Sequence, residues 1–213
     1  MSSPKDSTKQ TNERLEDSLH SLVLPMQNAH VEYFPNWLTH KHANDLLEYF
    51  KNELAWQQAS IQLYGKMHKI PRLQAWYGDP NTDYEYSKLK MTPLPWDNRL
   101  AKMKQACEQT CGHQFNSALA NMYRDGNDSM GMHADNEPEL GFEPVIASVS
   151  LGQTRRMNFK HIHSKDTQRI QLEPGSLLIM KGATQANWQH GINKSKTQVG
   201  LRLNFTFRYV VKR

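Results

Sequence analysis

Hydrophobic and polar residues alternate strictly over residues 201–209, within the run 200–211 near the end of the chain. Five apolar positions interleave with two arginines, an amide and a hydroxyl: Leu201, Leu203, Phe205, Phe207 and Tyr209 alternate with Arg202, Asn204, Thr206 and Arg208. Because successive strand side chains point to opposite faces, this pattern predicts a β-strand with one apolar and one polar face. The pattern alone favours a half-exposed strand with a solvated polar face. A polar face turned into an anion-binding cavity is the alternative.

Apolar residues recur at helical spacing in two earlier stretches. One of them, which includes Phe50, predicts a helix over residues 40–54. The other predicts a helix over residues 97–111, where Asp97 can cap the first turn and Gly112 can end the last.

After residue 115 the chain changes to short runs of strand-forming residues separated by glycine and proline. The runs cover residues 145–151, 157–161, 169–172 and 176–180. Many short strands after two helices predict an all-β barrel or sandwich with helices on its outside. We expect the polar residues 1–28 to form a flexible tail and residues 29–213 to form a single domain.

The composition is that of an ordinary globular protein, with 38% hydrophobic and 22% charged residues in 213. No apolar run is long enough to span a membrane and no signal core is evident, so we expect a cytoplasmic protein, or a nuclear one in a eukaryote. The net charge of +5 is unevenly distributed, because residues 151–213 hold twelve basic and two acidic side chains. A basic C-terminal third suits a polyanionic partner.

Two histidines and an aspartate form a candidate metal site. His133 and Asp135 are separated by one residue in a loop-like stretch, and His190 follows 55 residues after Asp135. Two imidazoles and a carboxylate can occupy one face of an octahedral metal and leave positions open for a chelating cosubstrate and O₂, as in non-haem Fe(II) oxygenases. Arg202, on the polar strand face, can hold the far carboxylate of a dicarboxylic cosubstrate.

A second histidine pair competes with this set. His161 and His163 stand at strand spacing, but no carboxylate accompanies them at matching spacing. We interpret them as a solvated pair at the end of a loop. Cys107 and Cys111 are interpreted as two thiols on one helix face, since no further zinc-ligand pair is evident.

Six motifs together resemble the AlkB family of nucleic-acid dealkylases, especially its animal-type DNA-repair branch. They are Pro71–Gly78 (PRLQAWYG), Asn121–Tyr123 (NMY), His133–Asp135 (HAD), Ile146–Gly152 (IASVSLG), Gly182–His190 (GATQANWQH) and Arg202–Arg208 (RLNFTFR). The resemblance runs from about residue 60 to the C-terminus. It implies a mainly β fold with a double-stranded β-helix (jelly-roll) core, flanking N-terminal helices and a nucleotide-recognition hairpin.

The resemblance also implies the chemistry of the site. His133, Asp135 and His190 would bind Fe(II), and six residues would hold 2-oxoglutarate, with O₂ as the second cosubstrate: Asn121, Tyr123, Arg202, Asn204, Thr206 and Arg208. The implied reaction is oxidative demethylation of N-alkylated bases in DNA, such as 1-methyladenine and 3-methylcytosine, coupled to decarboxylation of 2-oxoglutarate to succinate. We expect the protein to be a monomer. The polar face of the last strand should then line the cofactor cavity.

Base recognition is implied for a further group of residues. Leu63, Tyr64 and Gly65 match the family's hairpin finger, where Tyr64 would fill the gap left by a flipped base. Arg72, Tyr84 and Tyr86 match positions in the substrate pocket, and Arg155, Arg156 and Lys160 are expected to contact phosphates. Related repair enzymes have a second acid directly after the HxD aspartate, whereas this chain has Asn136 followed by Glu137, which puts the preferred lesion in doubt.

Three alternatives stay open at this point. Two keep the chemistry and change the substrate to RNA or to a protein side chain. The third is a non-catalytic jelly-roll module that only holds a metal, although such a module has no need of a pocket for a chelating acid.

Overall fold

The computed structural model describes residues 20–63, 65–86 and 89–211. Within this part of the chain, the helices are α1 (His40–Glu53), α2 (Asn98–Cys111), α3 (Thr184–Asn187) and the 3₁₀ turn Pro138–Leu140. The strands are β1 (Leu22–Val23), β2 (His30–Phe34), β3 (Ser60–Leu63), β4 (Lys66–Lys69), β5 (Leu73–Gly78), β6 (Tyr84–Tyr86), β7 (Leu89–Met91), β8 (Ser117–Tyr123), β9 (Met130–His133), β10 (Ile146–Gly152), β11 (Arg155–His161), β12 (Thr167–Leu172), β13 (Leu177–Lys181), β14 (Trp188–Ile192) and β15 (Arg202–Arg208). None of the helices in the described ranges has the length and apolar character needed to cross a membrane.

Two antiparallel sheets form the centre of the molecule. Among the described residues, the larger sheet has seven strands in the order β1-β2-β13-β10-β15-β8-β5, and the smaller has four in the order β12-β11-β14-β9. Side chains from both sheets line one internal cavity, so the sheets face each other. Two facing antiparallel sheets with crossovers between non-consecutive strands form a jelly roll, which confirms the predicted fold class.

The two longer helices cover the outer face of the larger sheet. The Asp97 carboxylate accepts hydrogen bonds from the backbone N–H groups of Arg99 and Leu100 in the first turn of α2, and Gly112 ends that helix in the left-handed conformation. Leu46 and Phe50 of α1 and Leu100 of α2 are buried in the core that the helices share with the sheet. Both helices therefore match their predicted bounds to within one residue.

The last strand separates its two faces as the alternation predicted. Leu203, Phe205 and Phe207 of β15 pack into the core beneath the helices. The four polar residues of the strand line the cavity between the sheets, and they are Arg202, Asn204, Thr206 and Arg208. Every residue of β15 is buried, so the solvated polar face favoured by the pattern alone is wrong.

Several strands lie where the sequence pattern gave no strand. The strands β1 to β7 all precede residue 115, and β5 is an edge of the larger sheet. Residues 22–23, inside the predicted flexible tail, pair with β2, and Met26 is buried. His133 ends β9 and does not lie in a loop. The tail residues 1–19 lie outside the described part of the chain.

Candidate active site

The two metal-ligand histidines face each other across a strand pair. His133 ends β9 and His190 lies in the middle of β14, and the antiparallel register of these strands places the two residues directly opposite. Their ring centroids are 4.4 Å apart. Directly opposite residues point to the same face of a sheet, so both imidazoles enter the interior between the sheets.

Asp135 completes the cluster from the segment that follows β9. Its carboxylate oxygens lie 4.0 Å from His133 Nε2 and 3.8 Å from His190 Nε2. The ligand atoms of the three residues all lie within 4.8 Å of one another. No other group of three potential metal ligands occurs in the ranges that the structure describes.

The peptide that carries Asp135 is held by a residue to which the sequence assigned no role. The backbone N–H of Asp135 donates to Gln185 Oε1 at 3.0 Å, and Gln185 is buried on the short helix α3. The GATQANWQH motif contains Gln185, but only the fold shows that its amide reaches Asp135.

Arg208 joins the larger sheet to this cluster. Its Nη2 donates to Asp135 Oδ1 at 2.7 Å, and both side chains are buried. Burial alone would raise the pKa of Asp135, but Arg208 and the two histidines outweigh it and hold the pKa at about 2. The carboxylate is therefore ionised at neutral pH.

The surroundings favour a neutral imidazole at His190, and a hydrogen bond orients the ring of His133. Burial, reinforced by His133, lowers the pKa of His190 to about 3, although Asp135 opposes this shift. His133 Nδ1 lies 2.9 Å from the carbonyl oxygen of Gly131, which can only accept, so Nδ1 carries the proton. The lone pair of His133 then resides on Nε2, the atom that faces Asp135.

The close approach of β9 and β14 depends on a glycine. Gly191 follows His190 directly, and a Cβ at this position would lie 2.9 Å from the carbonyl oxygen of Met130 and 3.0 Å from that of Gly131. Such distances are too short, and both contacts are with backbone atoms. Gly191 therefore permits the strand spacing that brings the two histidines together.

Arg202 lies in the same cavity on the larger sheet. It is 1% exposed, its Nη2 donates to Ser150 Oγ at 2.9 Å, and its guanidinium lies 5.1 Å from the centre of the Tyr123 ring. Its Nε and Nη1 are buried without a hydrogen-bond partner in the described structure. Burial lowers the pKa of Arg202, and the charge of Arg155 adds to this effect. An acidic ligand in the cavity would satisfy these donors.

The other residues assigned to 2-oxoglutarate also line the cavity, but their hydrogen bonds differ. Asn204 Nδ2 donates to Ser148 Oγ at 2.8 Å and to the carbonyl oxygen of Val149 at 3.1 Å, and Thr206 Oγ1 donates to Asn204 Oδ1 at 3.1 Å. These contacts stay within the larger sheet. Asn121 and Tyr123 project from β8, which pairs directly with β15.

The residues assigned to base recognition are distributed differently. Arg72 is buried, and its Nε donates to Asn121 Oδ1 at 2.9 Å. It therefore contacts a residue assigned to 2-oxoglutarate binding. Asn136 is exposed, whereas Glu137 is half-buried and its Oε2 has no hydrogen-bond partner in the described part of the chain. Gly65 has a positive φ of 77° in the turn between β3 and β4, as a tight hairpin requires.

The aromatic members of that set stay predictions. Tyr64 lies outside the described residues, and the side chains of Leu63, Tyr84 and Tyr86 do as well. The backbone places Leu63 at the tip of the β3–β4 hairpin, and Tyr84 and Tyr86 on β6, which pairs with β7.

Two further expectations are corrected by the structure. Arg155 is buried and donates to the carbonyl oxygens of Asp128 and Asn193, so its predicted contact with phosphates is wrong, whereas Arg156 and Lys160 are exposed. His161 is also buried and not solvated. Its Nδ1 accepts hydrogen bonds from the backbone N–H groups of the next turn, so this histidine anchors a turn.

The cluster fits an Fe(II) ion and a chelating 2-oxo acid. Asp135 Oδ2 is buried without a hydrogen-bond partner in the described structure, and His190 Nε2 lies 3.8 Å from it. A divalent cation placed among these ligand atoms would satisfy this oxygen and could bind both imidazoles at once. The buried donors of Arg202 in the same cavity fit the carboxylate of a bound acid.

The comparisons with known proteins agree with this geometry. Residues 30–208 match the 2OG-Fe(II) oxygenase superfamily. The human alpha-ketoglutarate-dependent dioxygenase alkB homolog 3 is 37% identical over 196 residues, which cover 87% of this chain and 68% of the relative. The mouse DNA oxidative demethylase ALKBH2 is 38% identical over 173 residues, covering 78% of this chain and 71% of the relative. The chain thus spans about two thirds of the length of these relatives.

A solved structure supports the fold. The structure titled "The structure of OsALKBH1" superposes with a TM-score of 0.59 at 17% sequence identity, and the match covers 84% of this chain and 97% of the other. At this identity the likeness concerns the fold alone. The superfamily match, the two relatives and the His-Asp-His cluster lead to one conclusion. The chain belongs to the AlkB family of Fe(II)- and 2-oxoglutarate-dependent dioxygenases.

Proposed function

We propose that the protein removes N-alkyl groups from damaged bases in DNA, with 1-methyladenine and 3-methylcytosine as representative substrates. The observation that carries the proposal is the pairing, in one cavity, of the His133, Asp135 and His190 cluster with the buried donors of Arg202. The relatives whose names state a nucleic-acid activity supply the substrate class: the mouse ALKBH2 is named a DNA oxidative demethylase.

Each side chain has a defined task in the proposed reaction. His133, Asp135 and His190 would hold Fe(II), which supplies the oxygen chemistry when bound. Arg202 would pair with the far carboxylate of 2-oxoglutarate, while Asn121 and Tyr123 would contact its other oxygens. Arg208 keeps Asp135 ionised and oriented from the facing sheet.

The chemical outcome follows from the two cosubstrates. 2-Oxoglutarate loses CO₂ and becomes succinate with one oxygen atom of O₂, and the other oxygen atom hydroxylates the N-alkyl carbon. The resulting hemiaminal breaks its C–N bond to release an aldehyde and the restored base. The cavity is lined by residues of both sheets, so a base would have to leave the helical stack to reach it.

The surface charge is compatible with a nucleic-acid partner. Arg156 and Lys160 are exposed on one face of β11, and Arg169 lies on the same face of β12, opposite Asn158. Arg155, Arg202 and Arg208 are three of the twelve basic residues in the C-terminal third, and they are buried. The number of basic residues in the C-terminal third is therefore larger than the number that can contribute positive charge to the surface.

The test is a panel of oligonucleotides with methyl and etheno lesions, in single- and double-stranded DNA and in RNA, with succinate and restored base measured together. We expect iron-dependent release of both products on methylated DNA and none with His133→Ala. Turnover of 2-oxoglutarate that leaves every methylated base intact would overturn the proposal. If RNA oligonucleotides are preferred when they compete directly with DNA oligonucleotides, the substrate would be RNA, as in the RNA alternative.

A further inference from the structure

Arg72 lies at the junction between the β3–β4 hairpin and β5, and its side chain is 4% exposed. Its Nε donates to Asn121 Oδ1 at 2.9 Å, and its Nη1 donates to the carbonyl oxygen of Ser129 at 3.3 Å. The backbone N–H of Ser129 in turn donates to the carbonyl oxygen of Pro71 at 2.9 Å. The Pro71–Arg72 segment is therefore fastened both to β8 and to the residue that precedes β9.

The contact between Arg72 and Asn121 fixes which end of the Asn121 amide faces the cavity. A guanidinium has only donors, so the amide must turn its oxygen toward Arg72. The amide nitrogen then points away from Arg72. Because Asn121 lines the cavity that contains Arg202 and the metal-ligand cluster, its two N–H donors become available to a ligand there.

The orientation matters because 2-oxoglutarate is a dianion whose oxygens only accept hydrogen bonds. An amide nitrogen facing the cavity attracts such a ligand, whereas an amide oxygen facing it would repel the same ligand. Among the described residues, Arg72 is the donor that Asn121 Oδ1 accepts from, so removing Arg72 removes the contact that holds the amide in the favourable orientation. The two orientations have the same shape, so packing alone does not select between them.

We propose that Arg72 is a positioning residue for the cosubstrate: it fixes the Asn121 amide with its donors toward 2-oxoglutarate. The inference rests on the proposed function, in which Asn121 contacts 2-oxoglutarate. It gives Arg72 a role different from the base contact that the family resemblance implies. Arg72 lies in the short segment between the β3–β4 hairpin and β5, so its contact with Asn121 also links this segment to the cosubstrate pocket.

The test is calorimetric titration of 2-oxoglutarate into the full chain loaded with Mn(II), which requires no nucleic acid and no turnover. Arg72→Met keeps most of the apolar stem and removes the donors, and we expect it to weaken 2-oxoglutarate binding about ten-fold. Arg72→Lys retains a donor and should recover part of that loss. Arg99→Met, an exposed arginine on α2, is the matched control and should bind within about two-fold of wild type.

A double-mutant cycle separates positioning from general damage to the fold. In an Asn121→Leu background there is no amide to orient, so Arg72→Met should change 2-oxoglutarate affinity by less than about two-fold. The affinity for Mn(II) should stay at the wild-type value in both backgrounds, because the metal ligands are untouched. If Arg72→Met fails to fold, Arg72→Lys carries the same cycle.

The outcomes distinguish this inference from the function on which it rests. If the wild type binds 2-oxoglutarate and Arg72→Met binds it equally well, the inference is wrong and the proposed function stands. Fully additive effects of the two substitutions would also overturn it. If the wild type itself fails to bind 2-oxoglutarate, the assignment of the cosubstrate pocket fails first.

Discussion

The backbone N–H of Asp135 donates a 3.0 Å hydrogen bond to the side-chain oxygen of Gln185, a residue 50 positions later in the chain. This bond fixes the peptide plane from which the Asp135 carboxylate projects. Gln185 itself is 1% exposed, and its Nε2 lies 3.5 Å from Met180 Sδ, so its amide is held at both ends. Partners of this kind set the orientation of a metal ligand without touching the metal.

Replacing Gln185 should weaken metal binding. We expect Gln185→Leu to lower the affinity for Mn(II) about ten-fold, because the Asp135 N–H loses its acceptor and the carboxylate loses its orientation. Gln185→Glu retains an acceptor oxygen and should lose less. Gln189→Leu, an exposed glutamine on β14, is the control in the same calorimetric titration. Equal affinities for the two leucine variants would contradict the role given to Gln185.

Adding one methyl group beside His190 should separate the two histidines. Gly191→Ala places a Cβ within 3.0 Å of two backbone oxygens of β9, so β14 must shift away from its partner strand. We expect a loss of roughly 1–3 kcal/mol in the free energy of unfolding and weaker metal binding. Gly131→Ala is the control, because no atom lies within 4 Å of the added Cβ. If urea denaturation and metal titration give Gly191→Ala and Gly131→Ala the same free energy of unfolding and the same metal affinity, the role given to the close approach of β9 and β14 is wrong.

The stability of the metal-free protein should depend on His190 below neutral pH. Burial lowers the pKa of His190 to about 3, whereas an unfolded histidine titrates near 6.5. Between these values the unfolded state binds a proton that the folded state does not, so the free energy of unfolding falls as pH falls from about 6.5 to 3. The low pKa of Asp135, about 2, adds a further loss below about pH 4.

This loss is expected to reach a few kcal/mol in urea titrations performed at successive pH values. His190→Gln removes the buried imidazole and should flatten the profile between pH 6.5 and 4. The exposed His163→Gln serves as the comparison and should keep the wild-type slope. A profile for His190→Gln that parallels wild type would show that another group is responsible.

The two thiols should be unreactive while the protein is folded. Burial raises the pKa of Cys107 well above its usual value and raises that of Cys111 to about 12. Since the thiolate is the nucleophile, both side chains stay protonated and slow to react at pH 8. We expect iodoacetamide to modify neither cysteine in native buffer and both in denaturant, as followed by intact mass. Rapid modification of Cys107 in the native protein would contradict its burial on α2.

The sequence predicted best what is determined locally. The bounds of α1 follow from helical spacing. Those of α2 follow from helical spacing together with its caps Asp97 and Gly112. The two faces of β15 follow from strict alternation, although alternation did not decide whether the polar face met solvent or a cavity. That choice depends on the facing sheet, which no local pattern reports.

The rest depends on contacts between distant parts of the chain. Arg155 belongs to a basic segment by composition. It is nevertheless buried, and its guanidinium donates hydrogen bonds to three loop carbonyl oxygens. The hydrogen bond from Asp135 to Gln185 spans 50 residues, and that from Arg72 to Asn121 spans 49. Partners at such separations become visible only when the strands are placed in register.

The candidate ligands are divided between the two layers of the jelly roll. His133 and His190 project from the smaller sheet, whereas Asn121, Arg202 and Arg208 project from the larger one. Metal and 2-oxoglutarate bound together would therefore add a cross-link between two layers that the bond from Arg208 to Asp135 already joins. Amide hydrogen exchange in β8, β9, β14 and β15 should slow together on loading, as one cooperative unit spanning the sandwich.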